Sequence, residues 1–144
     1  MASPTGSDPF DEGLTRLDAL VADHAEERHL IHSDLLNYNV LVDDGRISAV
    51  IDWGCAMYGD FLYDLAWFTF WAPWYAAWRG IDFQQEAAHH YAAIGLAVPR
   101  FDQRLTGCQI HIGLAAQAYN AFKERWDALE ETARRTLEVA NADR

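Results

Sequence analysis

Between Leu30 and Asp64 the chain reads LIHSDLLNYNVLVDDGRISAVIDWGCAMYGDFLYD, and this segment limits the available folds more than any other. Apolar stretches alternate with polar clusters: Leu30 and Ile31 lead into His32, and Val40, Leu41 and Val42 leave Asn39. That pattern predicts a polar loop held between two short buried strands. Asp43, Asp44, Gly45 and Arg46 then supply a hairpin turn, because Asp-Gly takes the positive φ that tight hairpins require. The next strand, Ile47 to Ile51, is mostly apolar and ends at Asp52. A hairpin of this kind returns Asp52 to the side of the loop that carries Asp34 and Asn39.

The residues brought together have a shared chemistry. His32, Asp34 and Asn39 form an H-x-D-x-x-x-x-N loop, Asp52 lies in I-D-W-G, and Asp60 and Asp64 lie in G-D-x-x-x-D-L-A. An amide oxygen and a carboxylate side by side suit a hard cation such as magnesium. In phosphate-transferring enzymes an Asp placed like Asp34 takes or orients the acceptor hydroxyl, while the later Asn and Asp hold the metal ions.

On these motifs the chain resembles the C-terminal lobe of the aminoglycoside phosphotransferase family, whose pattern is close to H-G-D-L-x-x-x-N-V-L-V, then V-I-D-W, then G-D-x-x-x-D-L-A. AVIDWGCAMYGD and the aromatic residues ahead of Pro73-Trp74 are most similar to the branch that acts on hygromycin B, and the resemblance runs from about Leu17 to the C-terminus. Two departures stand out: Ser33 occupies a position where Gly is common, and Leu36-Asn37-Tyr38 replaces the usual H-P-G. The resemblance implies an α+β, mainly helical fold, a protein kinase-like C-terminal lobe with a small β-hairpin carrying the catalytic and metal-binding loops. It implies transfer of the γ-phosphoryl of ATP to a small-molecule hydroxyl. Asp34 would be the catalytic residue, and Asn39 and Asp52 would hold Mg2+ and, through it, the nucleotide.

His32 is a general base or a brace of the loop backbone, and we read it as the brace. Asp64, on the apolar face beside Leu65, reads as a buried acceptor that holds the catalytic loop. Asp60 is either a helix cap or part of that brace. Trp67, Phe68, Phe70, Trp71, Trp74, Tyr75 and Trp78 recur at helical spacing, so most should be core, with Trp74 or Trp78 beyond Pro73 left to contact substrate. Glu124, Asp127, Glu130 and Glu131 either complement a helix dipole or recognise substrate ammonium groups. His89-His90 lacks a spaced partner for a metal site.

Composition narrows the partners. With 22 acidic and 11 basic residues the net charge is -11, which disfavours nucleic acid and anionic membranes and suits a cationic small molecule such as an aminoglycoside. Cys55 and Cys108 suggest neither a disulfide framework nor a zinc site, in keeping with a cytoplasmic location. The N-terminus lacks the basic and apolar regions of a signal peptide, and Leu65–Trp78 is too short to cross a bilayer.

At 144 residues the chain is long enough for one domain with a core but short for a two-lobed kinase. Ahead of His32 there is no Lys and no Gly-rich loop, and the single Lys in the chain is Lys123. We therefore expect the N-lobe to be absent and an incomplete nucleotide site, with phosphate transfer by the isolated chain much slower than in a two-lobed enzyme. The rival reading is a non-catalytic remnant or binding module that keeps a metal or polyamine site. An uncovered lobe face would favour homo-oligomers.

Along the chain, residues 1–13 read as a disordered tail and 14–144 as the lobe. Leu14, Leu17, Leu20 and Val21 predict a first helix. Asp60 opens a second that runs through Leu65, Phe68 and Trp71 and breaks at Pro73. Asp82 with Gln85 predicts a capping box for a third helix ending at Gly95. A long helix should span Arg100 to Lys123, and Asp127 with Glu130 should cap a last one running to Ala140.

Overall fold

The computed structural model describes residues 6–22 and 28–142. These fall into two compact units: one is built from the N-terminal helix and the two C-terminal helices, the other from residues 25–99.

The first unit contains α1 (Asp8–Val21), α4 (Phe101–Phe122) and α5 (Trp126–Ala140), each packed on the other two. The helix α1 begins at Asp8, within the segment expected to be a tail. Pro9 sits in its first turn, where a missing N–H costs nothing, and Asp8 and Asp11 complement the positive end of the helix dipole. Residues 1–5 of the expected tail lie outside the described residues. Gly13, which the sequence reading left in the tail, is buried: a Cβ there would meet Leu114 Cδ2 at 3.1 Å and Thr136 Cγ2 at 3.3 Å. Leu105, Ile110, Ile112, Leu114, Leu129, Ala133 and Val139 fill the helical core. One polar tie crosses it, as Gln117 Nε2 donates to Thr136 Oγ1 at 3.1 Å while that hydroxyl donates to the Thr132 carbonyl at 2.7 Å. Gln117 and Thr136, both buried, thus keep a partner.

The capping box expected at Asp127 and Glu130 does not form. The last helix starts at Trp126, so Asp127 lies in its first turn and no side chain caps it. The cause is the end of α4, where Glu124 adopts φ 54 and the Arg125 N–H donates to the Asn120 carbonyl at 2.9 Å. This αL termination fixes the direction of the next helix before Asp127 is reached.

The second unit holds two antiparallel strand pairs followed by two helices. Strand β1 (His29–Ile31) pairs with β4 (Met57–Gly59), and β2 (Val40–Asp43) pairs with β3 (Arg46–Val50). Asp44 and Gly45 have φ 46 and 71, as a two-residue hairpin turn demands, and the ladder is irregular between Leu41 and Val42. Ile31 at the end of β1 is buried as expected, but the rest of the strand surface is not: Leu30, Leu41, Val42 and Ile47 are exposed, and Val40, Ala49 and Val50 at the hairpin base are half-buried. A sheet of two strands presents both faces and both edges, so only its root is covered.

Next come α2 (Leu62–Trp71) and α3 (Phe83–Ala93). Leu62, Ala66 and Phe70 form the fully buried stripe of α2 at helical spacing. Asp60 Oδ1 accepts from the Leu62 N–H at 3.0 Å and so serves the first turn of α2, while the chain beyond Trp71 tightens into a 3₁₀ turn at Pro73. For α3, Asp82 Oδ1 accepts from the Gln85 N–H at 3.0 Å, and Gly95 at φ 70 ends the helix. No described helix is long and apolar enough to cross a membrane.

Candidate active site

The loop from His32 to Asn39 leaves β1 and is anchored from below by α2. The Asp64 carboxylate accepts from the backbone N–H of His32 at 2.9 Å through one oxygen and from that of Ser33 at 2.8 Å through the other. His32 and Ser33 are 1% and 5% exposed, so water cannot replace those bonds. The loop therefore leaves Asp64 in a fixed direction, and Asp34 is the next residue.

At its far end the loop is closed by Asn39, whose Nδ2 donates to the Asp34 carbonyl at 2.8 Å. That leaves the amide oxygen of Asn39 for another partner. The Ile51 N–H donates to the Asn39 carbonyl at 2.9 Å, extending the hairpin pairing by one bond and bringing Asp52 to the loop. Asp52 is exposed, has φ 60 and ψ 58, and does not cap the 3₁₀ turn Trp53–Cys55 that follows. Such a conformation is uncommon outside Gly and marks a position the surroundings over-determine.

His32 spans the same gap from within. Its Nε2 lies 2.8 Å from the Ile51 carbonyl, and because a carbonyl only accepts, Nε2 carries the proton. The ring rests against Trp53 at 4.8 Å, and its Nδ1 is buried without a partner among the described residues.

Beside Asp34 the aromatic segment after α2 forms a wall. Tyr75 stacks on Trp78 at 4.1 Å, and Trp78 packs on Phe68 and Phe83. Burial pushes the Tyr75 phenol above its ordinary pKa, and the negative charges that Tyr38 and Asp34 can carry push it the same way. Trp74 is 39% exposed and stacks against Phe70 and Trp71. Trp78, expected among the exposed members, is half-buried by its ring contacts.

Asp34, Asn39 and Asp52 are thus gathered with His32, Asp60, Asp64 and Trp74 in one unit. Glu124, Asp127, Glu130 and Glu131 belong to the helical unit, where the last three line an open groove with Pro9, Arg134 and Leu137. Sequence reasoning named Ser33 only as a departure from the usual Gly and Tyr75 only as one of the aromatic run, and it missed the Ile51 carbonyl. For Ser33 a signal existed: Gly is common at its position, and Ser33 has φ 58.

Among the described residues no three His, Cys, Asp or Glu side chains converge on a metal. Magnesium needs no such cage when one or two protein oxygens act with substrate phosphates. The free oxygen of Asn39 and the uncommitted carboxylate of Asp52 make a donor set of that kind.

A profile of the phosphotransferase enzyme family matches residues 6–101. Hygromycin-B 4-O-kinase of Escherichia coli is 49% identical over 65 residues, which are 45% of this chain and 19% of that protein. Homoserine kinase of Neisseria meningitidis serogroup B is 51% identical over 37 residues, 26% of this chain and 12% of that one. The apo crystal structure of a thermostable mutant of aminoglycoside phosphotransferase APH(4)-Ia superposes with a TM-score of 0.77 at 31% identity, covering 97% of this chain and 45% of that chain. A ternary complex of such a mutant with AMP-PNP and hygromycin B gives 0.78 at 31% identity, again over 97% of this chain and 45% of that one. The chain therefore spans less than half the length of these solved relatives. It has the kinase-like fold they share, and it belongs to the phosphotransferase enzyme family.

Proposed function

We propose that this chain carries the acceptor and metal side of an ATP-dependent O-phosphotransferase acting on a hydroxyl of a cationic aminoglycoside-type small molecule. The observation that supports it most is the joining of the Asp34 loop to the Asp52 segment through Asn39, which donates to Asp34 and accepts from Ile51. Asn39 is thereby bonded both to the loop of Asp34 and to the residue before Asp52, which supports reading Asp34 as the hydroxyl-orienting group and Asn39 with Asp52 as the metal-holding pair. The relatives support the substrate class, since the APH(4)-Ia structure holds AMP-PNP and hygromycin B together.

In this reading Asp34 accepts the hydrogen bond of the acceptor hydroxyl and turns its oxygen toward the phosphoryl group. Asn39 Oδ1 and the Asp52 carboxylate would hold Mg2+, which would offset the charge of the ATP phosphates. His32 and Asp64 brace the loop while Asp60 serves the first turn of α2, and the buried His32 ring has no open path to a substrate hydroxyl. Trp74 and the acids Glu124, Asp127, Glu130 and Glu131 remain the candidates for contact with substrate rings and ammonium groups. Most of the rate would come from positioning, so any loss in the nucleotide's fixed pose costs tenfold for each ~1.4 kcal/mol.

Incubating the chain with radiolabelled ATP, Mg2+ and hygromycin B, with Asp34→Ala as the blank, tests this. Label transfer that the substitution abolishes is expected, at a rate well below that of a full-length relative. Transfer that Asp34→Ala leaves intact would refute the assignment.

A further inference from the structure

We infer that Ser33 is a positioning residue whose hydroxyl ties the Asp34 loop to the turn after Asp52 and so fixes the separation of the two carboxylates. The inference rests on the roles proposed above for Asp34 and Asp52.

Ser33 Oγ donates to the carbonyl of Cys55, the last residue of the 3₁₀ turn that begins directly after Asp52. One residue earlier, His32 Nε2–H donates to the carbonyl of Ile51, which directly precedes Asp52. The two residues ahead of Asp34 therefore grip the backbone on both sides of Asp52. Their own N–H groups are held by the two oxygens of Asp64, so the grip is applied from a fixed base. The backbone ahead of Asp52 cannot shift without breaking the His32 bond, and the turn after it cannot swing without breaking the Ser33 bond.

Backbone preference alone would not place Ser at this site. Ser33 sits at φ 58, where Gly pays no steric cost and a side chain does. Gly there would relax the loop but offer no donor to Cys55. The hydroxyl is thus what a residue in this strained conformation adds, and 95% of the residue's surface is withdrawn from solvent, so the bond has no water competitor.

Three variants separate the tie from general stability. Ser33→Gly removes the donor while relieving backbone strain, Ser33→Ala removes the donor and keeps the strain, and Ser33→Thr keeps the donor while its β-branch adds to the strain. Hydrogen exchange of the amides from Trp53 to Ala56 should quicken by roughly fivefold in the Gly and Ala variants, about the factor a buried hydrogen bond contributes, and remain as in wild type for Thr. Thermal stability of Ser33→Gly should stay near wild type, so a change confined to these amides cannot be general loosening. Magnesium affinity by calorimetry should fall by a similar factor in Gly and Ala and be retained in Thr. Unchanged exchange in Ser33→Gly overturns the tie. Faster exchange with unchanged magnesium affinity overturns the positioning role. If wild type and Asp52→Ala both fail to bind magnesium, the metal assignment fails, and the exchange pattern still decides the tie.

Discussion

Replacing Asp64 by Ala should destabilise the loop unit more than any other single polar substitution near the site. The carboxylate accepts two consecutive backbone donors at 2.9 and 2.8 Å, one on each oxygen. A hydrogen bond to a charged group contributes about 1.5–3 kcal/mol net, which gives a gross range of about 3–6 kcal/mol for the pair. Asp64 is only half-buried, so its own desolvation and partial hydration bring the expected loss toward the lower end, about 3 kcal/mol. The donors cannot recover the difference, because His32 and Ser33 are almost wholly enclosed. Asp64→Asn retains one acceptor oxygen but turns an NH2 toward the second N–H, so about 2 kcal/mol should be lost. Urea unfolding followed by tryptophan fluorescence can read this, since Trp53 packs on the His32 ring. With a slope of about 2 kcal/mol/M, the Ala variant should unfold about 1.5 M earlier than wild type. A loss below about 1 kcal/mol for Ala, or equal losses for Ala and Asn, would show that Asp64 does not hold the loop through two bonds.

Gly13→Ala should stay within about 1 kcal/mol of wild type, because the gain in helix propensity offsets tight contacts with two movable side-chain ends, whereas Gly13→Leu should cost about 2–3 kcal/mol; equal melting temperatures for both would contradict the close approach of α1 to α4 and α5. Calorimetric titration with Mg2+ should show weak binding that Asp52→Ala removes, and equal binding by both proteins would end the metal assignment. Val42 and Ile47 face each other in register on the hairpin and are 64% and 69% exposed, so the chain should self-associate through this apolar strip. Light scattering over a dilution series should then show dimers or larger species that Ile47→Lys disperses; a wild type that stays monomeric at high micromolar concentration would refute it.

The parts of the structure that were legible in the sequence are those decided by neighbours in the chain. Asp82 caps α3 because its acceptor is three residues from Gln85, and Gly95 ends that helix because αL geometry suits Gly. The Asp-Gly turn and the return of Asp52 to the loop follow from the same local rules. Misreadings arose where a distant or preceding element decides. Pro9 and Gly13 look like breakers in isolation, yet Pro9 suits a first helical turn and Gly13 suits a close helix crossing with Leu114 and Thr136. Asp127 looks like a cap until the αL turn at Glu124 is known to have started α5 at Trp126. The hairpin strands β2 and β3 read as buried from their apolar content, but exposure depends on what covers a sheet, which composition does not encode.

The acidity of the chain acts in opposite directions on the two reactants of the proposed reaction. A net charge of -11 attracts a polycationic acceptor over distances limited by salt screening, about 8 Å at physiological ionic strength. The same charge repels ATP, and Asp34 and Asp52 concentrate that repulsion where the phosphates must come. In the proposed role the Asp34 carboxylate accepts from a hydroxyl, which a fixed cationic partner on it would oppose. In the proposed reaction the cation that reconciles phosphate with this site would come with the nucleotide, and Asp52 would hold it. This gives geometric meaning to the two residues between β1 and Asp34: by fastening the backbone before and after Asp52, His32 and Ser33 would keep the proposed metal-holding carboxylate at a set distance from the proposed hydroxyl-orienting one. Neither residue needs to touch a reactant to matter for the rate, since positioning of two like-charged groups is what the proposed chemistry requires of this loop.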